Sequence, residues 1–201
     1  MKKIYLLAVE PSADQLGAEL VKNLRDQNSE LNLCGIGGAS MRAAGIPSQM
    51  EIDGLAIIGI TEAILKIHLI WDKISEAADL ILTAKPDAVV MIDSYGFMVR
   101  LAKKLREKGY IGQLIKYVAP QVWAMRPSRT KRLAKYFDSL LAIHAFEPEW
   151  FTKDGLDSYY VGNAVFDTDY RSGDPNKLRQ QYILASAPFC PYFWEVVWAR
   201  L

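Results

Sequence analysis

The sequence predicts an α/β chain with a doubly wound parallel sheet, and three observations carry that prediction. Short, wholly apolar runs such as Ala88–Ile92 read as strands buried on both faces, the usual state of a central parallel strand. Amphipathic helical periods separate these runs, so strand and helix alternate along the chain. Glycine, proline and polar residues gather just past the runs, where the strands of such a sheet end and ligands bind.

Composition narrows the function. With 201 residues the chain exceeds most single domains, and half of it is hydrophobic, enough for a substantial core. A formal charge of +1 argues against a general nucleic-acid binder, so any anion site must be local. The two cysteines, Cys34 and Cys190, have no metal-ligand spacing and fit a reducing compartment. The apolar start stops at Glu10-Pro11, short of a secretory signal, and no apolar run is long enough to span a bilayer. A cytoplasmic protein is expected.

Taken in order, residues 4–9 form the first strand. Ser12 and Asp14 are helix starters, and Leu16, Leu20 and Leu24 carry the helical period. The turn from Glu10 to Asp14 offers N–H groups and a helix dipole to an anion or a sugar hydroxyl, or else simply caps the helix. A second strand, residues 31–34, runs into Gly35-Ile36-Gly37-Gly38, where the backbone can approach a ligand. Ser40 stands where the dinucleotide fingerprint needs a glycine, so no NAD site is read. A short helix then ends at Gly45.

Residues 54–84 are long and apolar, with Ile60, Ile64, Ile67, Trp71 and Ile74 on one helical stripe. Either this is a core helix, or its apolar face and Trp71 dip into a membrane surface. After the strand Ala88–Ile92, Asp93 stands at the carboxyl end beside Ser94-Tyr95-Gly96. It reads as a general base or as an N-cap of the next helix. The strand over 114–118 meets Pro120, which has no N–H to donate; Trp123 and Arg126 follow at the ligand edge. Trp123 is either a ligand contact or a buried plug on the sheet. Arg126, Arg129, Lys131, Arg132 and Lys135 form a basic segment able to clamp a phosphate or to face solvent. Strands over 139–143 and 159–161 complete the sheet. The last residues, from Ile183, are dense in aromatics without helix or strand period.

These stretches resemble the lipid-A-disaccharide synthase family. The residues that carry the resemblance are Glu10 to Ala18, Gly35-Ile36-Gly37-Gly38, Met41 to Gly45, Gly54 to Glu62, Pro86-Asp87, Ile92-Asp93-Ser94, Tyr117 to Ala124, Phe146-Glu147 and Val161-Gly162. The resemblance implies the amino-terminal, Rossmann-like acceptor half of a two-domain GT-B glycosyltransferase over residues 1–168, with 169–201 a remnant of the interdomain linker. It implies transfer of 2,3-diacylglucosamine from its UDP conjugate to 2,3-diacylglucosamine 1-phosphate (lipid X), releasing UDP with inversion and without metal or cofactor. Asp93 falls on the family's catalytic aspartate. Substrate contacts are expected at Glu10, Ser12, Asp14, Gly37, Gly38, Pro120, Trp123, Arg126, Glu147 and Asn163, and a membrane face at Ile60, Ile64, Ile67 and Trp71. The implied location is peripheral on the inner face of the inner membrane, with a homodimer left open and no nucleic-acid partner.

The chain also departs from the family pattern. Val9 and Ala13 replace two glycines, Tyr95-Gly96-Phe97-Met98 replaces Pro-Asp-Phe-Asn, and Asn163 replaces a histidine. The Leu-Pro-Gly-Ser-Arg turn that opens the donor domain does not follow Leu184. The expectation is a chain cut short by a frameshift near Ala185, unable to transfer sugar alone because charge on the leaving diphosphate would go unstabilised. A free-standing lipid-binding module and a GT-B enzyme with a soluble acceptor are the alternatives.

Overall fold

A computed structural model describes residues 2–52, 67–124 and 126–167. Contacts divide the chain into two units, Met1–Ala164 and Val165–Leu201. The first unit carries the sheet. Its strands are β1 (Lys3–Leu7), β2 (Asn32–Ile36), β3 (Ala88–Ile92), β4 (Gln113–Tyr117), β5 (Ser139–Ala142) and β6 (Asp157–Tyr160). All pair in parallel, in the order β2-β1-β3-β4-β5-β6.

The helices are α1 (Pro11–Gln27), α2 (Ala39–Ala43), α3 (Ile67–Ala84), α4 (Tyr95–Glu107), α5 (Arg129–Tyr136) and α6 (Pro148–Thr152). The strand alternation divides the core into two layers. Tyr5, Leu7, Val89, Met91 and Leu114 pack with Ile74, Ile81, Leu101 and Leu105 of α3 and α4. Leu6, Val90, Ile92 and Tyr117 pack with Ala13, Ala18 and Val21 of α1 and Met41 of α2. Helices therefore cover both faces, which is why the central strand β3 reads as an unbroken apolar run.

Two local readings change. Helix α1 begins at Pro11 rather than Ser12; proline suits a first helical position because its missing N–H would be unbonded there anyway. In α3 the stripe splits. Ile74, Ala77, Ala78 and Ile81 are fully buried at core spacing, whereas Leu69 and Trp71 remain 40% and 49% exposed. Ile60 and Ile64 lie outside the described residues, and Ile67 opens α3. No described helix is long and apolar enough to cross a membrane.

Candidate functional site

Connections from β1 lead to β2 on one side and, later, to β3 on the other, so the strand order reverses between β1 and β3. The crevice outside their carboxyl ends is the switch point at which such sheets bind ligands. Glu10 follows β1 and Asp93 follows β3, and a hydrogen bond spans the crevice: the Ser94 hydroxyl donates to Glu10 Oε1 at 2.6 Å. Ser94 is the N-cap of α4, yet its hydroxyl is spent on Glu10 and makes no cap. Asp93 is not the cap either, so the capping alternative falls away. Its carboxylate is half-buried and accepts no hydrogen bond from the described residues, while its backbone N–H donates to the Tyr117 carbonyl at 2.9 Å.

Beneath this pair lies Lys116, only 1% exposed, set beside Met91 in the β3–β4 register. Its Nζ donates to the carbonyls of Tyr117 and Val118, both at 2.9 Å. Burial holds the ammonium down, to about 7, while the Asp93 and Glu10 carboxylates act to raise it. The sequence reading missed Lys116. A lone lysine in an apolar strand was the available signal, because a strand covered on both faces leaves it nowhere to reach water.

The backbone is strained at the same place. Among the described residues five non-glycines have positive φ, and four of them, Asp93 (52°), Ser94 (42°), Val118 (71°) and Arg126 (58°), follow β3 or β4. Positive φ is a true outlier for β-branched valine, and such strain gathers at binding sites that the surrounding fold over-determines. Lys116 is part of that restraint, since its ammonium holds the Val118 carbonyl.

At the β1–β2 end the expected ligand groups turn inward. Asp14 is 4% exposed, and its carboxylate accepts N–H bonds from Gly38 (2.7 Å), Ser40 (2.7 Å) and Met41 (3.1 Å). It caps the start of α2 from a neighbouring helix, satisfying donors that the helix cannot satisfy itself. Gly37 and Gly38 serve this contact. A Cβ on Gly37 would sit 2.5 Å from Met41 Sδ, and one on Gly38 would sit 2.8 Å from Asp14 Oδ2. The Gly38 N–H, read from the sequence as a ligand group, is thus committed to Asp14. Gly37 donates to Ser48 Oγ at 3.2 Å. The three still line an open cleft of about 430 Å³. Ser12 is exposed in the first turn of α1.

Past β4, Pro120 is buried and its carbonyl accepts from the Val122 N–H at 2.7 Å. Trp123 is 41% exposed, which rules out the buried plug. Its ring meets Phe146 edge to face at 5.4 Å, and Phe146 stacks on His144 at 5.6 Å, making an exposed aromatic shelf. Glu147 is 1% exposed and accepts from the His144 N–H at 3.1 Å, so this carboxylate holds the loop under the shelf instead of facing a ligand. Arg126 lines a second cleft, with Tyr95 and Arg129. Asn163 lies half-buried just beyond β6, after Gly162 at φ 84°. Asp93, Glu10 and the newly found Ser94 and Lys116 therefore share one point, and Trp123 and Arg126 belong to the loop after β4.

Comparison with known proteins shows the family and agrees with the fold. The family model described as Lipid-A-disaccharide synthetase matches residues 4–192. A lipid-A-disaccharide synthase of Paramagnetospirillum magneticum is 40% identical over 180 residues, 89% of this chain and 46% of that protein. The Gluconobacter oxydans and Rickettsia bellii synthases are 38% and 39% identical over 92% and 90% of this chain, and 44% and 47% of their own length. The chain thus spans about half the length of the curated relatives it matches. In fold it is similar to a Staphylococcus aureus MnaA–UDP co-structure (TM-score 0.57, 15% identity, 90% of this chain and 50% of that one). It is also similar to a Neisseria meningitidis UDP-GlcNAc 2-epimerase (TM-score 0.56, 12% identity, 83% and 47%).

Proposed function

Because the chain belongs to the lipid-A-disaccharide synthetase family, we propose that it is the acceptor half of a glycosyltransferase that makes the lipid A disaccharide. In this reading the 6-hydroxyl of lipid X enters the crevice between β1 and β3. Asp93 takes its proton as the oxygen attacks the anomeric carbon of UDP-2,3-diacylglucosamine. The new C–O bond forms on one face while the bond to the diphosphate breaks on the other, and UDP leaves with the electron pair. The supporting observation is the Asp93 carboxylate, half-buried at the switch point and free of hydrogen bonds from described donors. Lys116 lies buried under the crevice, close enough for the Asp93 charge to act on its ammonium. The Glu10–Ser94 bond fixes the loop that carries Asp93.

The donor sugar-nucleotide is held by a second half. Exposed Leu69 and Trp71 support peripheral attachment at the inner face of the inner membrane, where acyl chains of both substrates reside. The test is a chimera that joins this chain to the carboxyl-terminal half of the Paramagnetospirillum magneticum relative, assayed for UDP release with both lipids. Release by the chimera, and none by either half alone, is the expected result. Release that does not require lipid X would overturn the reading. A second reading, a lipid-binding module without transfer, rests on the same exposed tryptophan and predicts lipid binding by an inert chimera.

A further inference from the structure

A cleft of about 320 Å³ opens between the first turn of α4 and the loop that enters α5, lined by Tyr95, Gly96, Arg100, Arg126, Arg129 and Arg132. Among the described residues none of these four arginines lies within ion-pair distance of a carboxylate. Some cations elsewhere in the unit are paired: Arg106 reaches Asp138 at 2.6 Å and Lys108 reaches Asp79 at 2.5 Å. Four like charges around one small cleft repel one another, and a bound anion turns that repulsion into attraction.

The groups are also preoriented. The Arg129 guanidinium lies over the Tyr95 ring, 4.6 Å from its centre, and Arg100 Nη1 donates to the Gly96 carbonyl at 2.6 Å. Arg126 is presented from a left-handed backbone at φ 58°. The Tyr95 hydroxyl is buried and has no hydrogen-bond partner among the described residues. Burial pushes its pKa up while Arg132, Arg129 and Arg100 pull it down, so the phenol stays protonated at neutral pH, a donor among cations.

Guanidinium forks match the oxygens of phosphate two at a time, and a monoester carries more charge than a diester. The rim adds an apolar element. Arg100 lies 5.8 Å from the ring of Trp71, which is 49% exposed. A phosphate in this cleft therefore sits beside an exposed aromatic on one side and two residues past Asp93 on the other.

We propose that this arginine cleft binds the phosphate monoester of a membrane-held lipid sugar, fixing the acceptor while its far hydroxyl meets Asp93. Only the orientation toward Asp93 rests on the transferase reading; the phosphate site stands on the four arginines and Tyr95.

Calorimetric titration of the 201-residue chain tests it. The probes are 2,3-diacylglucosamine 1-phosphate in nonionic micelles, the same lipid after phosphatase treatment, inorganic phosphate, and micelles doped with phosphatidylglycerol. The phosphorylated lipid should bind at least about 10-fold more tightly than the dephosphorylated one, as expected for charge-assisted bonds. Inorganic phosphate should compete with it weakly. The R129Q/R132Q variant should abolish that difference while keeping the wild-type circular dichroism spectrum. Arg126→Gln, on the exposed loop, should reduce the difference partially and guards against misfolding of the double variant. Equal binding of the two lipids by the wild-type chain would overturn the proposal. So would phosphatidylglycerol competing as well as the monoester, since the site would then read bilayer diesters. Binding is read here without turnover. A chain that binds the monoester but whose chimera transfers nothing loses the transferase reading and keeps the cleft; the reverse outcome loses the cleft alone.

Discussion

Asp14 and Asp93 stand just past neighbouring strands, β1 and β3, yet the chain treats their charges in opposite ways. Asp14 is 4% exposed and receives three backbone N–H bonds, so its charge is consumed in joining α1 to α2. Asp93 sits on strained backbone, half-buried, with no described donor on its carboxylate. A carboxylate that accepts several N–H bonds has few lone pairs left for a substrate hydroxyl. One without such bonds can receive a proton. Position at the carboxyl edge thus marks candidates, and hydrogen-bond accounting separates the structural carboxylate from the chemical one.

The comparison breaks most visibly at Asp14. Asp14→Ala leaves three N–H groups without their acceptor and should cost about 3 kcal/mol, since bonds to charged groups are worth about 1.5–3 kcal/mol each and water repays part of the loss. A urea midpoint equal to wild type would show that the cap is dispensable. Gly37→Ala probes the same contact from its other side. Its Cβ would stand 2.5 Å from Met41 Sδ, and the overpacking should cost about 2 kcal/mol by the same denaturation.

The Asp93 side is sharpened by Lys116. Its folded pKa, about 7, lies below its ordinary value of 10.5, so between these pH values the unfolded chain holds the extra proton. Stability of the wild type relative to Lys116→Met should therefore rise with pH from about 7 toward 10.5, and should stay at its lowest, constant level below 7. A difference that is flat across this window would mean that the lysine titrates normally. Trp123→Ala should do least to the fold, about 1 kcal/mol or less, because the ring is 41% exposed and loses mainly its edge contact with Phe146. Its larger consequence should be weaker binding of the acceptor lipid, read by the same titrations.

Much of this was legible from residue order. An apolar run located the central strand Ala88–Ile92 to the residue, because a strand covered on both faces admits few polar side chains. Asp93 and Trp123 were placed at the ligand edge for the same reason: they follow where such runs end. The task of Asp14 was hidden, since the N–H groups it binds come from residues 24 to 27 positions later, on another element. The arginine cleft was half visible. Arg126, Arg129 and Arg132 read as a basic segment, but Arg100 and the Tyr95 hydroxyl reach it from α4, which only the fold brings near. Helix α5 itself starts at Arg129, because Pro127 and the left-handed Arg126 precede it.

The most direct test of the central claim is UDP release by the chimera carrying Asp93→Asn, measured beside its urea midpoint. Asparagine tolerates a left-handed backbone, so the loop at φ 52° should survive the exchange. The account predicts a rate lower by about 10²- to 10⁴-fold with the midpoint unchanged, the loss expected when a general base is removed. A rate within about tenfold of the parent would contradict it, since an effect that small, roughly 1.4 kcal/mol, is below what a general base supplies.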